Sequence, residues 1–282
     1  VGHVLTKPPT AAGYGPRQIE RARALCLYVA TKLADLREEW VVVGGLVPSL
    51  LIEQDALDAQ DRHVGTLDVD LGLHVAVLKE GTYREVSGRL REAGFSPDST
   101  DAGRTTRQRW VHPSGGGMTV EFLIPPVSEG QRGGSLQDLE GDFAAIVVPG
   151  LELAFLDRQL VTLSGRTLAG ESATRDLYVC GPGAYLVLKA LALGSRGFNK
   201  DAYDLYYLLQ HYPEGLPAIA DALRPLGSEP AVEQALAFLR RDFAGIDGVG
   251  PMRAAEFLGL SDDEGFRGHV LGLVNGLLRL LG

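Results

Sequence analysis

Asp68 and Asp70 stand one residue apart inside the apolar stretch TLDVDLGL. On a strand, Leu67, Val69 and Leu71 would share one face and the two carboxylates the other, because strand side chains alternate. Neighbouring carboxylates repel, and one resists ionising unless a cation lies between them. Mg²⁺ takes one or two carboxylates together with substrate phosphates. An edge strand with its polar face in water is the simpler alternative. Gly44 and Gly45 follow WVVV and open LVPSLL. Glycines there allow close backbone approach, and a helix N-terminus offers N–H groups to a phosphate. A plain strand-to-helix turn would use the same residues. Lys189 lies in LVLKALAL, where a lone charge needs a partner or a purpose.

The elements that must position these residues follow from periodicity. Helical spacing predicts a helix over 18–36 and another over 46–57, with Pro48 in its first turn. Short strands are expected at 40–43, 66–74, 104–112, 118–124, 144–148, 159–163 and 176–179. A helix is expected over 79–93, closed by Gly94. The polar, Gly-rich stretch 128–142 reads as a loop. Beyond Gly181 all segments read as helices: 184–193, 200–211, 216–223, 230–243, 251–258 and 263–281. The expected fold class is α+β, with a mixed sheet flanked by helices followed by a helical domain. The domain boundaries are 1–16 as a flexible arm, 17–180 as the sheet domain and 181–282 as the helical domain.

On the helix over 200–211, Lys200 and Asp204 are four apart and could form a surface ion pair. Asp201 would favour the helix N-terminus, with Asn199 as N-cap. Tyr203, Tyr206 and Tyr207 read as packing residues.

The net charge of −9 excludes a generally basic nucleic-acid binder, and a nucleic-acid partner would need a local basic patch. Arg104, Arg107 and Arg109 are expected to line one face of a strand and so form one candidate. Cys26 and Cys180 lack metal-ligand spacing and read as core thiols of a reducing cytoplasm. No apolar run reaches the ~18 residues of a membrane span. The opening stretch lacks the charged-then-apolar order of a signal peptide.

VVVGGLVPSLL followed by HVGTLDVDL resembles the signature of the DNA polymerase β-like nucleotidyltransferase superfamily. Together with LVLKALALGSRGFNKDAYDLYYLL, it resembles in particular the AbiEii/AbiGii-type nucleotidyltransferase toxins of type IV toxin–antitoxin pairs. The resemblance covers about 40–73 and 184–210. It implies a nucleotidyltransferase-like sheet, an NTP substrate and two Mg²⁺ ions held by Asp68 and Asp70. It implies a third acid on a neighbouring strand, for which Glu121 in MTVEFLI is the candidate and Asp142 the substitute. Gly44, Gly45, Thr66, Lys189, Arg196 and Lys200 would contact the nucleotide, and Asp204 would position or deprotonate the acceptor hydroxyl. The implied acceptor is the tRNA 3′ end, and the implied partner a cognate antitoxin. Residues 46–67 make a longer spacing than minimal superfamily members use, so the turn into the Asp-x-Asp strand is unusual here. Two alternatives stay open: transfer to a small molecule such as an antibiotic, and a nucleotide-binding module without chemistry.

Overall fold

The structure, a computed structural model, describes residues 8–15, 17–74, 80–100 and 102–282. Residues 1–7 and 16 of the expected arm, and Lys79 of the expected helix, lie outside the described residues. The fold is α+β with a mixed sheet. Two compact units divide the described chain. One comprises 17–50 and 65–180; the other comprises Pro8–Gly15, Leu51–Val64 and Gly181–Gly282.

The first unit opens with α1 (Gln18–Lys32), which buries Leu25, Cys26 and Val29. It runs through a 3₁₀ stretch (Ala34–Glu39) into β1 (Trp40–Val43), buried throughout as four consecutive apolar residues require. After a 3₁₀ turn at Gly44–Leu46 comes α2 (Val47–Leu51). The helix expected over 46–57 therefore stops early. Residues 51–64 belong to the second unit, and Gln54 there accepts hydrogen bonds from the His63 amide (2.8 Å) and the Tyr207 hydroxyl (3.1 Å). Tertiary bonds outweigh helical propensity in that stretch.

Eight more strands and two helices follow among the described residues of this unit: β2 (Asp68–Leu73), α3 (Glu80–Glu92), β3 (Ser96–Ser99), β4 (Thr105–Val111), β5 (Thr119–Ile124), β6 (Leu136–Glu140), β7 (Phe143–Val147), α4 (Leu153–Leu156), β8 (Arg158–Arg166) and β9 (Ser172–Cys180). The sheet order is β3-β4-β5-β2-β1-β9-β8, and β7 pairs with both β5 and β6. β2 is antiparallel to β1 and parallel to β5, with Asp70 opposite both Val43 and Glu121. β3 and β6 were not expected from sequence because SPDS and LQDLE are polar, as margin strands commonly are. β8 and β9 extend past their apolar segments. Polar cross-strand pairs, Thr162 with Asp176 (2.7 Å) and Ser164 with Thr174 (2.9 Å), continue the hairpin.

One face of the central strands is apolar. Trp110, Phe122 and Phe143 meet edge to face there, with centroids 4.8 to 6.5 Å apart. Phe122 is the strand neighbour of Glu121 and points to the opposite side.

The second unit is helical: α5 (Pro182–Arg196), α6 (Asn199–His211), α7 (Gly215–Leu223), α8 (Pro230–Asp242), α9 (Val249–Leu258) and α10 (Glu264–Leu281). α5 and α8 approach closely at Gly194, where a Cβ would lie 2.2 Å from the Phe238 ring. Residues 8–15, expected as part of a flexible arm, pack in this unit. Tyr14 meets Phe257 at 5.8 Å, and the Pro9 carbonyl accepts a bond from Asn199. Asn199 is not the N-cap; its side chain accepts a bond from Arg253 (2.9 Å) and Phe198 takes the cap position. No helix among the described residues is long and apolar enough to cross a membrane.

Truncation at the apolar face tests this architecture. Phe122→Ala is expected to cost about 3–5 kcal/mol of unfolding free energy, measured by denaturant titration. A cost near zero would mean that the aromatic cluster does not hold the sheet.

Candidate active site

Parallel pairing of β2 and β5 sets Asp68 opposite Thr119 and Asp70 opposite Glu121. Cross-strand partners share a face, so Asp68, Asp70 and Glu121 converge. One oxygen from each lies within 4.8 Å of the others. Asp68 is buried, while Asp70 and Glu121 are half-buried. Three hard oxygen donors at this spacing fit a divalent cation such as Mg²⁺ or Mn²⁺. Asp142, the substitute for Glu121, instead pairs with Arg91 at the surface.

Two neighbours shape the triad. The Thr66 hydroxyl donates to Asp68 Oδ1 at 2.6 Å and fixes its orientation. Gly44 has φ +71°, and a Cβ there would fall 1.8 Å from Asp70 Oδ2. A glycine is therefore required by the Asp70 carboxylate itself. The Gly44–Leu46 turn leads into α2, which spans only Val47–Leu51, so the long helix expected after the glycines is not formed.

The arginines expected to line one strand face do not form one row. Arg104 precedes β4 in a turn, its amide bonded to Thr100. Arg107 pairs with Asp138 at 2.8 Å. Arg109 stands opposite Glu121 on the ladder, with Nη1 3.9 Å from Glu121 Oε1, and its Nε donates to Asp98 at 2.9 Å.

The second unit holds a separate charged cluster. Asp204, fully buried, meets Lys189 Nζ at 2.6 Å and Lys200 Nζ at 2.7 Å. Lys189 also reaches Asp201 at 3.2 Å, and Arg196 grips Asp201 through Nε (2.8 Å) and Nη2 (2.9 Å). The pair Lys200–Asp204 is thus an interior ion pair, and Asp201, in the first turn of α6 as expected, also belongs to the cluster. Three-residue spacing puts Asp201 and Asp204 on one face of α6, a signal present in the sequence. His63 had no such signal, because its partner lies far along the chain. Its Nε2 is 3.0 Å from Asp204 Oδ1, and its ring stacks on Tyr203 and meets Tyr207 edge to face.

Burial alone would raise the Asp204 carboxyl, but Lys189, Lys200 and His63 outweigh it and hold it well below the usual range. The same balance lowers Asp201, where Lys189 and Arg196 overcome burial. Burial works to lower Lys189, yet Asp204 and Asp201 hold it above its ordinary value. Burial, reinforced by Lys200, pushes the His63 imidazole down to about 4. Asp204 is ionised and accepts only, so neutral His63 donates from Nε2.

Comparison with protein-family models, with curated proteins and with solved structures finds no match. The functional argument therefore rests on side-chain geometry.

Two outcomes follow. Gly44→Ala is expected to lose about 1–2 kcal/mol from its left-handed backbone. It should also displace Asp70 and weaken Mn²⁺ binding, read by calorimetry. Unchanged Mn²⁺ affinity would show that Asp70 does not need this close approach. Acid should selectively destabilise the wild-type chain through His63, neutral when folded but protonated when unfolded. The unfolded imidazole takes up its proton near 6.5 and the folded one near 4. Stability is then full above the higher value and falls through that window by an amount on the order of a few kcal/mol. His63→Gln removes the titration, so its melting temperature should fall less over the same window. Parallel curves for the two proteins would refute the assignment.

Proposed function

We propose that the chain is a Mg²⁺-dependent nucleotidyltransferase that moves an NMP from an NTP to an acceptor hydroxyl. The observation that carries this reading is the convergence of Asp68, Asp70 and Glu121 on one sheet face, with Gly44 against Asp70. The nucleotidyltransferase-like character of the sheet unit belongs to the same proposal and is supported by the order strand, Gly-Gly turn, Asp-x-Asp strand and neighbouring acidic strand.

Asp68, Asp70 and Glu121 would hold two Mg²⁺ ions, which supply charge neutralisation at the triphosphate and a lowered pKa of the attacking hydroxyl. Thr66 keeps the Asp68 oxygens oriented. The Gly44–Gly45 backbone, Lys189, Arg196 and Lys200 would bind nucleotide phosphates. Asp204 is a poor base because its carboxyl is held so low. Its part in this reading is to position groups, first of all the two lysines that it pairs. Most of the catalysis would then be electrostatic positioning.

The resemblance carried by the two motif segments points to the tRNA 3′ end as acceptor, in a type IV toxin with a cognate antitoxin. A small-molecule acceptor is the second reading. It is favoured by the commitment of Arg107 to Asp138 and of Arg109 to Asp98, which leaves that strand no uncompensated basic row. Incubation with each labelled NTP, Mg²⁺ and either tRNA, total protein or an antibiotic panel separates these. Label on tRNA supports the first reading and label confined to small molecules the second. Nucleotide binding with no label on any acceptor would overturn both in favour of a binding module.

Asp68→Ala and Asp70→Ala should each lower transfer by about a thousandfold or more, as loss of a metal's Lewis acidity implies. Circular dichroism and melting should show the fold retained, since removing a carboxylate relieves repulsion. Undiminished transfer, or unfolding of both variants, would count against the site.

A further inference from the structure

The arginine beside the acid triad is restrained. Arg109 and Glu121 are ladder partners, yet their closest ion-pair distance is 3.9 Å. That is beyond hydrogen-bond range. The fork of Arg109 is engaged elsewhere, through Nε to Asp98 Oδ2 at 2.9 Å, a charge-assisted length. Asp98 is buried, and the side chains of Arg109 and Glu121 are 17% and 19% exposed.

The local backbone fixes this arrangement. The β3–β4 ladder steps from Pro97↔Trp110 to Ser99↔Thr105, so an irregularity interrupts it at Asp98. The Thr106 hydroxyl lies 3.0 Å from both the Asp98 and the Arg109 carbonyl oxygens and ties the two sides together. Such irregularities re-aim side chains beside functional sites.

We infer that Asp98 is a positioning residue of the metal centre: it holds the Arg109 guanidinium back from Glu121, so that Glu121 can serve as the third ligand to a divalent cation. This rests on the metal reading given above. Asp98 also cancels the charge of Arg109, so the triad keeps its net attraction for a cation. Loss of Asp98 would free a positive group directly opposite Glu121 on the ladder. The freed guanidinium would close on that carboxylate and compete with the cation for its oxygens.

The probe is Mn²⁺, followed by calorimetry and by the electron paramagnetic resonance signal of the free ion, with melting temperatures as the control for folding. Asp98→Asn is expected to weaken Mn²⁺ binding by about tenfold or more. The double variant Asp98→Asn/Arg109→Gln should return to within about threefold of wild type, because the competitor is gone. Arg109→Gln alone should bind Mn²⁺ as tightly as wild type or more tightly, and it carries the test if Asp98→Asn does not fold. Wild-type affinity in Asp98→Asn, no recovery in the double variant, or a tenfold loss in Arg109→Gln would each overturn the inference. A merely structural Asp98 would give the second of these. Wild-type Mn²⁺ binding that Asp68→Asn abolishes keeps the metal reading in force whatever the Asp98 result. Absence of Mn²⁺ binding in wild type overturns that reading and this inference with it.

Discussion

Asp70 and Glu121 face each other across a parallel ladder, and Asp68 lies one pleat away on the same side. Carboxylates held this close repel, and a half-buried setting strengthens the repulsion. The rest of the first unit is arranged around that cost. The opposite sheet face is continuous and apolar, so its burial can hold the strands in register against the repulsion. A slip of one residue would turn Val69 and Leu71 outward and the acids inward, so the register that makes the triad is also the register that makes the core. Gly44 then has no freedom to be anything larger, because β1 runs beside Asp70 and the turn leaves it against the carboxylate.

The second unit treats acidic crowding differently. Asp201 and Asp204 share a helix face, but Lys189, Lys200 and Arg196 surround them, and His63 adds a hydrogen bond without a charge. Taking ions out of water is tolerated only with such complete pairing. Burial lowers the proton affinity of His63 most, and a protonated ring would also place another cation beside two lysines. The imidazole reaches Asp204 only because residues 51–64 leave the sheet unit's chain path and belong to the helical unit. Gln54, Tyr203 and Tyr207 hold that stretch through its backbone and ring.

Much of this was legible in the sequence where local rules suffice. The helices after Gly181 follow from their apolar period and from punctuation such as Pro182, Gly197 and Gly259. Asp68 and Asp70 stood out because acids are out of place in an apolar strand. Glu121 was readable for the same reason, although its ladder partner was not. What escaped was non-local. Polar β3 and β6 are strands because neighbours pair with them, and the stretch after Leu51 keeps only a 3₁₀ turn at Gln54–Ala56 because its side chains bond to α6. His63 and Asp98 carry no signature, since each gains its role from a partner on another element. The arginine row failed at the turn before β4, where Arg104 falls outside the strand.

The two clusters differ in what a ligand could gain from them. In the second unit each Asp204 oxygen already meets a cation, and further charge there would have to displace an existing pair. The cluster is therefore rigid and weakly basic, suited to holding lysines at fixed points. In the first unit three carboxylates converge, and Arg109 beside Glu121 is held by Asp98. A divalent cation relieves the repulsion there without breaking a strong ion pair. The energetic advantage of binding a cation thus lies with the acids of the sheet, whereas the helical unit's charges are already matched to one another. One cluster concentrates like charge and the other balances its charges internally, so each holds its carboxylates ionised by a different means.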